Sequence, residues 1–253
     1  MTLEPGSFGD FSTAPVPPPP ALARVPWTIP QAVAVFALAF LGTLILTGAA
    51  SMVVPSTYAV AASLVAFNVS LALTTLGFVA LRHPGSVHLL FGSARPSWGD
   101  VGVGLVAGLG AYLLINVGFV LLLTTIANAL GFEVPETQQG LREGVTDPTS
   151  GPFVIASAVL LAPLAEELFF RGMLFQAAAR RLRLGGAAGV SAVAFALAHA
   201  EATGLATVIV FLGILPLGVL LAWLFARRGT LLVSMVVHAT FNAVGAVGLL
   251  TLS

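Results

Sequence analysis

Seven apolar stretches alternate with short polar ones along the chain, near residues 27 to 54, 58 to 81, 101 to 130, 152 to 179, 187 to 201, 203 to 226 and 231 to 252. A helix crossing a hydrocarbon core of about 30 Å needs about 20 apolar residues, because each residue rises about 1.5 Å. The fifth stretch is only marginally long enough, and Glu201 with Gly204 is a weak boundary between it and the sixth. The pattern predicts an all-α membrane protein of about seven transmembrane helices over residues 26–253. Residues 1–25, with Pro15 and then Pro17 to Pro20, read as a disordered Pro-rich spacer. This tail lacks a basic n-region and leads into an apolar run too long for a signal-peptide core.

Composition sharpens the picture. The chain is 58% hydrophobic and 8% charged, with a mean hydropathy of +1.03, against roughly 25% charged residues in a soluble domain. All ten basic residues are Arg and none forms a tract, which argues against a nucleic-acid partner. The absence of Cys removes disulfides, thiolate metal ligands and a Cys nucleophile. Arg24, Arg82, Arg95, Arg180, Arg181, Arg183, Arg227 and Arg228 fall on one side of the seven-span alternation. The segment 131–151 falls on the other, with Glu133, Glu136, Glu143 and Asp147 against the single Arg142. Positive loops stay inside, so the expected location is the cell membrane, with a cytoplasmic N-terminus and an outside C-terminus. The loop from Arg82 to Asp100 mixes apolar residues with His83, His88 and Arg95 and reads as an interfacial segment, its two His being surface groups.

Ionisable groups inside spanning helices cost at least about 2.5 kcal/mol each on insertion scales, and here they cluster in the C-terminal half. The fourth stretch carries Glu166, Glu167 and Arg171, the fifth Phe195 and His199, the seventh His238 and Asn242. Glu167 and Arg171 stand at i and i+4, one above the other on a helix face, and can neutralise each other. Glu166 is rotated about 100° away and keeps its carboxylate free. His238 and Asn242 also share a face, and Phe195 lies one turn before His199. Pro163 can kink the helix beside Glu166. The alternative is that all of these groups are helix-packing glue, but packing alone does not require an unpaired Glu next to a paired one.

Glu166-Glu167-x-x-x-Arg171, Phe195-x-x-x-His199 and His238-x-x-x-Asn242, in this order on three apolar helices, resemble the CAAX-protease and bacteriocin-processing membrane proteases. That group includes the Ras-converting enzymes and the bacterial Abi proteins. The resemblance covers about residues 152–245. It implies an intramembrane endopeptidase acting on a membrane-associated or small peptide substrate, with its active site between the helices of the C-terminal half. Glu166, helped by His199, would activate water; His238 and Asn242 would stabilise the oxyanion; Glu167 and Arg171 would support the site. The bottom-up chemistry agrees. Hydrolysis without a nucleophilic side chain needs a base matched to neutral pH, and a carboxylate in a poorly solvated site becomes a stronger base. No H-E-x-x-H occurs, and the expected mechanism uses no cofactor. The alternative is a divalent metal such as zinc on Glu166, His199 and His238.

Other classes fit less well. An aspartyl protease needs two membrane Asp, yet Asp10, Asp100 and Asp147 lie in polar segments. A rhomboid-like reading would need Ser191 of Gly189-Val190-Ser191 with His238. A non-catalytic scaffold or immunity protein keeping the same fold is the leading alternative, and a proton-coupled transporter is another. Peptide or membrane-protein substrates and membrane lipid are the expected partners.

Depth within the bilayer sets a geometric condition. Counted from the cytoplasmic ends, Glu166 and His199 lie roughly 20 Å in and His238 nearer 10 Å. A fourth helix that continues past the membrane surface would bring them level. The topology itself is testable by single-Cys labelling in this Cys-free chain: positions 82, 180 and 227 should label from the cytoplasm, and positions 136 and 147 from outside. Labelling of position 147 from inside only would reverse the orientation.

Overall fold

The computed structural model describes residues 24–133, 137, 139–200 and 204–251. Most of the expected tail at 1–25, together with Glu136 and Glu201, lies outside the described residues. Those described are almost entirely helical, and no strand forms among them. Six helices are long and apolar enough to cross a membrane: α1 (Ile29–Ser51), α2 (Ser56–Arg82), α3 (Trp98–Ala129), α5 (Gly151–Ala179), α7 (Gly204–Arg228) and α8 (Leu231–Thr251). Between them lie a short amphipathic helix, α4 (Gln139–Thr146), and a shorter apolar helix, α6 (Leu184–Ala198). The chain is a multi-pass membrane protein.

The fifth apolar stretch is where the helix count changes. It becomes α6, whose 15 residues reach about 22 Å, short of a full crossing. Arg183 stands just before it, and the helix ends at His199. It packs antiparallel along α7, so that Arg180 to Arg183 and Arg227 to Arg228 come out at the same end of this helical pair.

Burial singles out α5 as the centre. Over half of its most apolar window is buried, 56% against 17% for both α1 and α3, whose exposed Leu, Val and Ile side chains form a lipid-facing surface. The most extensive helix pair is α3 with α8. Gly104 and Gly108, four residues apart, make it close: a Cβ at Gly108 would stand 2.7 Å from the Val237 carbonyl oxygen. Small residues at this spacing let helix backbones meet where lipid supplies no hydrophobic drive.

Two π-helical turns interrupt α5, at Ser157–Leu161 and Leu168–Phe175, and Glu166 and Glu167 sit in the α-helical turn between them. π-turns disturb the regular backbone ladder, and in a membrane each freed carbonyl needs a donor. Several side chains serve. Trp27 Nε1 donates to the Met173 carbonyl at 3.0 Å, Ser191 Oγ to Phe170 at 2.9 Å, and Gln176 Nε2 to Gly172 at 2.7 Å.

The loop read as interfacial is drawn into the bundle. It forms a 3₁₀ turn at Val87–Phe91 with Leu90 fully buried, and Gly172 is the reason it fits, since a Cβ there would meet the Leu90 carbonyl oxygen at 2.6 Å. His83 is accordingly not a surface group. Its ring is half-buried between Trp27 and Phe78, because the 24–28 segment folds back over it; His88 is exposed.

The same end of the bundle is laced together. Arg180 Nη1 donates to the Trp27 carbonyl at 2.6 Å, Arg228 pairs with Asp100 at 2.7 Å, and Gly92 bridges to Thr230. The Phe175 ring meets Phe225 at 5.7 Å. The turn from α7 into α8 therefore lies level with residues 172–175 of α5, and α5 continues to Ala179 beyond it. This offset reconciles the depths of Glu166 and His238.

Candidate active site

Glu167 and Arg171 are fully buried and joined at 2.8 Å. The guanidinium also donates from Nη2 to the Gly218 carbonyl of α7 at 3.0 Å and lies 4.4 Å over the Phe195 ring. The same Glu167 oxygen, Oε1, accepts from His238 Nδ1 at 3.1 Å. One carboxylate thus ties α5 to α8 directly and to α7 through Arg171.

Glu166 faces the other way, toward both histidines. Its Oε2 is buried with no hydrogen-bond partner among the described residues. His199 Nε2 stands 3.7 Å from it and His238 Nε2 3.9 Å. These separations exceed a direct hydrogen bond but suit groups that share a bridging water. His199 Nδ1 lies 2.8 Å from the Phe195 carbonyl, and since a carbonyl can only accept, Nδ1 carries the proton. In the neutral ring the Nε2 lone pair then faces Glu166. The His199 side chain is 26% exposed, against 8% for Glu166 and 3% for His238, which makes His199 the most open side of the cluster.

Sequence reasoning undervalued Phe195. Its ring lies 4.6 Å from His199 and 5.4 Å from His238, beneath the Arg171 guanidinium, while its carbonyl sets the His199 tautomer. An F-x-x-x-H spacing hints at stacking on the His one turn on, but nothing in it reveals contact with the second His. Asn242 is placed differently from the other motif residues: its Nδ2 donates to the Ala158 carbonyl at 2.8 Å, eight residues before Glu166 on α5. Ser191 is fully buried, its hydroxyl engaged by Phe170. Asp147 lies outside the spans, where backbone N–H groups of Ser150 and Thr149 hold its carboxyl below the usual range.

Residues 148–244 match the family model described as Type II CAAX prenyl endopeptidase Rce1-like. This segment is similar to the CAAX-protease family. The match contains all three motifs and leaves α1 to α3 outside it; no curated protein and no solved structure matches the chain. The similarity to the CAAX proteases supports a membrane endopeptidase in general. Among the described residues no group of three or more His, Asp and Glu side chains is arranged to hold a metal ion.

Removing Arg171 should be costly. Arg171→Ala leaves the Glu167 charge buried with only His238 beside it, and breaking a buried pair in this way costs about 3–5 kcal/mol. The expected result is low yield and a clearly reduced Tm in detergent. A well-folded but inactive Arg171→Ala protein would instead move Arg171 from support into the reaction.

Proposed function

We propose that this protein is an intramembrane endopeptidase in which Glu166 is the general base, acting with His199 on a water molecule. The supporting observation is that Glu166 Oε2, buried and unpartnered among the described residues, faces the basic nitrogen of His199 at 3.7 Å. Two acceptors at that distance hold one water by both of its hydrogens and orient its lone pair outward. Transfer of one proton to Glu166 gives a hydroxide equivalent, which adds to the scissile carbonyl carbon. The proton then passes to the leaving amine nitrogen as the C–N bond breaks, yielding a carboxylic acid and a free amine, which exchange a proton to become carboxylate and ammonium.

His238 serves the oxyanion. With Glu167 accepting from Nδ1, a protonated His238 presents Nε2–H toward the reacting centre. Its charge and that of Arg171 together balance the two carboxylates, so the four groups form a neutral set within lipid. Preorganised donors of this kind are typically worth a few kcal/mol in the transition state. The substrate proposed is a short or membrane-associated peptide. The family description points to C-terminal prenylated CAAX segments, and the bacteriocin-processing resemblance to unmodified small peptides.

Glu166→Gln is nearly isosteric and removes the base. In vesicles carrying quenched-fluorescent peptides, one prenylated at a CAAX end and one unmodified, the wild-type protein should cleave at least one. Glu166→Gln should lose about 10²–10⁴-fold in rate with its Tm retained. An active Glu166→Gln protein would sink this mechanism.

A further inference from the structure

The contact made by Asn242 has a cause in the sequence of α5. Within the first π-turn the backbone runs in i to i+5 register: Ala162 N–H bonds the Ser157 carbonyl. The next bond in that register would join residue 163 to the carbonyl of Ala158. Residue 163 is proline, which has no N–H to give. The Ala158 carbonyl is thereby left without its helical donor inside a membrane helix, where water is not at hand to replace it. Asn242 Nδ2 stands 2.8 Å from that oxygen. The amide orientation is not in doubt, because the carbonyl accepts and only the NH₂ end can donate.

We infer that Asn242 takes the place of the N–H that Pro163 lacks, and that it is a positioning residue: it ties α8 to the broken turn of α5 at Ala158, eight residues before Glu166. This rests on the reading of Glu166 as the base and departs from the role that the family resemblance implies for Asn242. Through this tie the α-helical turn bearing Glu166 and Glu167 is referenced to the helix bearing His238. Two contacts, Glu167 with His238 and Ala158 with Asn242, then fix the rotation of α5 against α8, where one alone would leave a pivot.

A double-mutant cycle tests it on the full-length protein in detergent and in vesicles. Asn242→Ala should lower Tm by about 4 °C, the shift expected from losing one such hydrogen bond in a chain of this size, and should reduce peptide cleavage. Pro163→Ala restores an N–H at residue 163. In that background the further change Asn242→Ala should lower Tm by less than half as much, and cleavage by Pro163→Ala/Asn242→Ala should exceed that of Asn242→Ala. Additive effects on Tm, or an Asn242→Ala protein with unchanged Tm, would overturn the tether. Cleavage that Pro163→Ala does not restore would overturn the positioning role and return Asn242 to the oxyanion. None of the Tm outcomes depends on catalysis. A failure of the Glu166 reading would show separately, as an active Glu166→Gln protein.

Discussion

The Oε1 atom of Glu167 accepts from Arg171 at 2.8 Å and from His238 at 3.1 Å, in a position with no exposed side-chain surface. A carboxylate there is tolerable only because a guanidinium and an imidazole meet it. Arg171 in turn reaches the Gly218 carbonyl and covers the Phe195 ring, and Phe195 packs on both histidines. Four helices, α5 to α8, are thus held by contacts that begin at one oxygen atom. Glu166 is free to face the histidines because its neighbour supplies this anchoring.

A second constraint acts on the backbone. The two π-turns on either side of the Glu pair perturb the ladder that normally satisfies a spanning helix, and the donors come from elsewhere: Trp27 before α1, Ser191 on α6, Gln176 on α5 itself and Asn242 on α8. The irregular stretch of α5 therefore depends on tertiary contacts with most of the bundle. Its high burial relative to α1 and α3 is the packing side of the same dependence. Gly172 belongs here too, since only a residue without a Cβ lets the Leu90 backbone approach the second π-turn.

Much of this was legible in the amino-acid order. Spans of 20 or more apolar residues reveal themselves by length, and the i, i+4 spacing of Glu167 and Arg171 states their pairing directly. The ordered motifs pointed to the family that residues 148–244 match. What stayed hidden is what depends on partners distant in sequence. Periodicity is blind to a π-turn, so the recipient of the Asn242 amide could not be read from its place one turn beyond His238. An aromatic at i−4 from a histidine is common in any apolar helix, and the reach of Phe195 to His238 exists only once α6 and α8 are packed. His83 read as exposed because the folding-back of Trp27 is not a local property. The fifth stretch, read as only marginally long enough, forms a shorter apolar helix of about 22 Å beside the six long ones.

In the proposed reaction Glu166 and His199 together hold the attacking water. An experimental structure of the protein in lipid, at a resolution that shows ordered solvent, tests it most directly. The expected result is a single water within about 3 Å of both Glu166 Oε2 and His199 Nε2, with His238 Nε2 beside it. A Glu166 carboxylate turned away from both histidines, or bonded directly to protein groups with no water between, would contradict it.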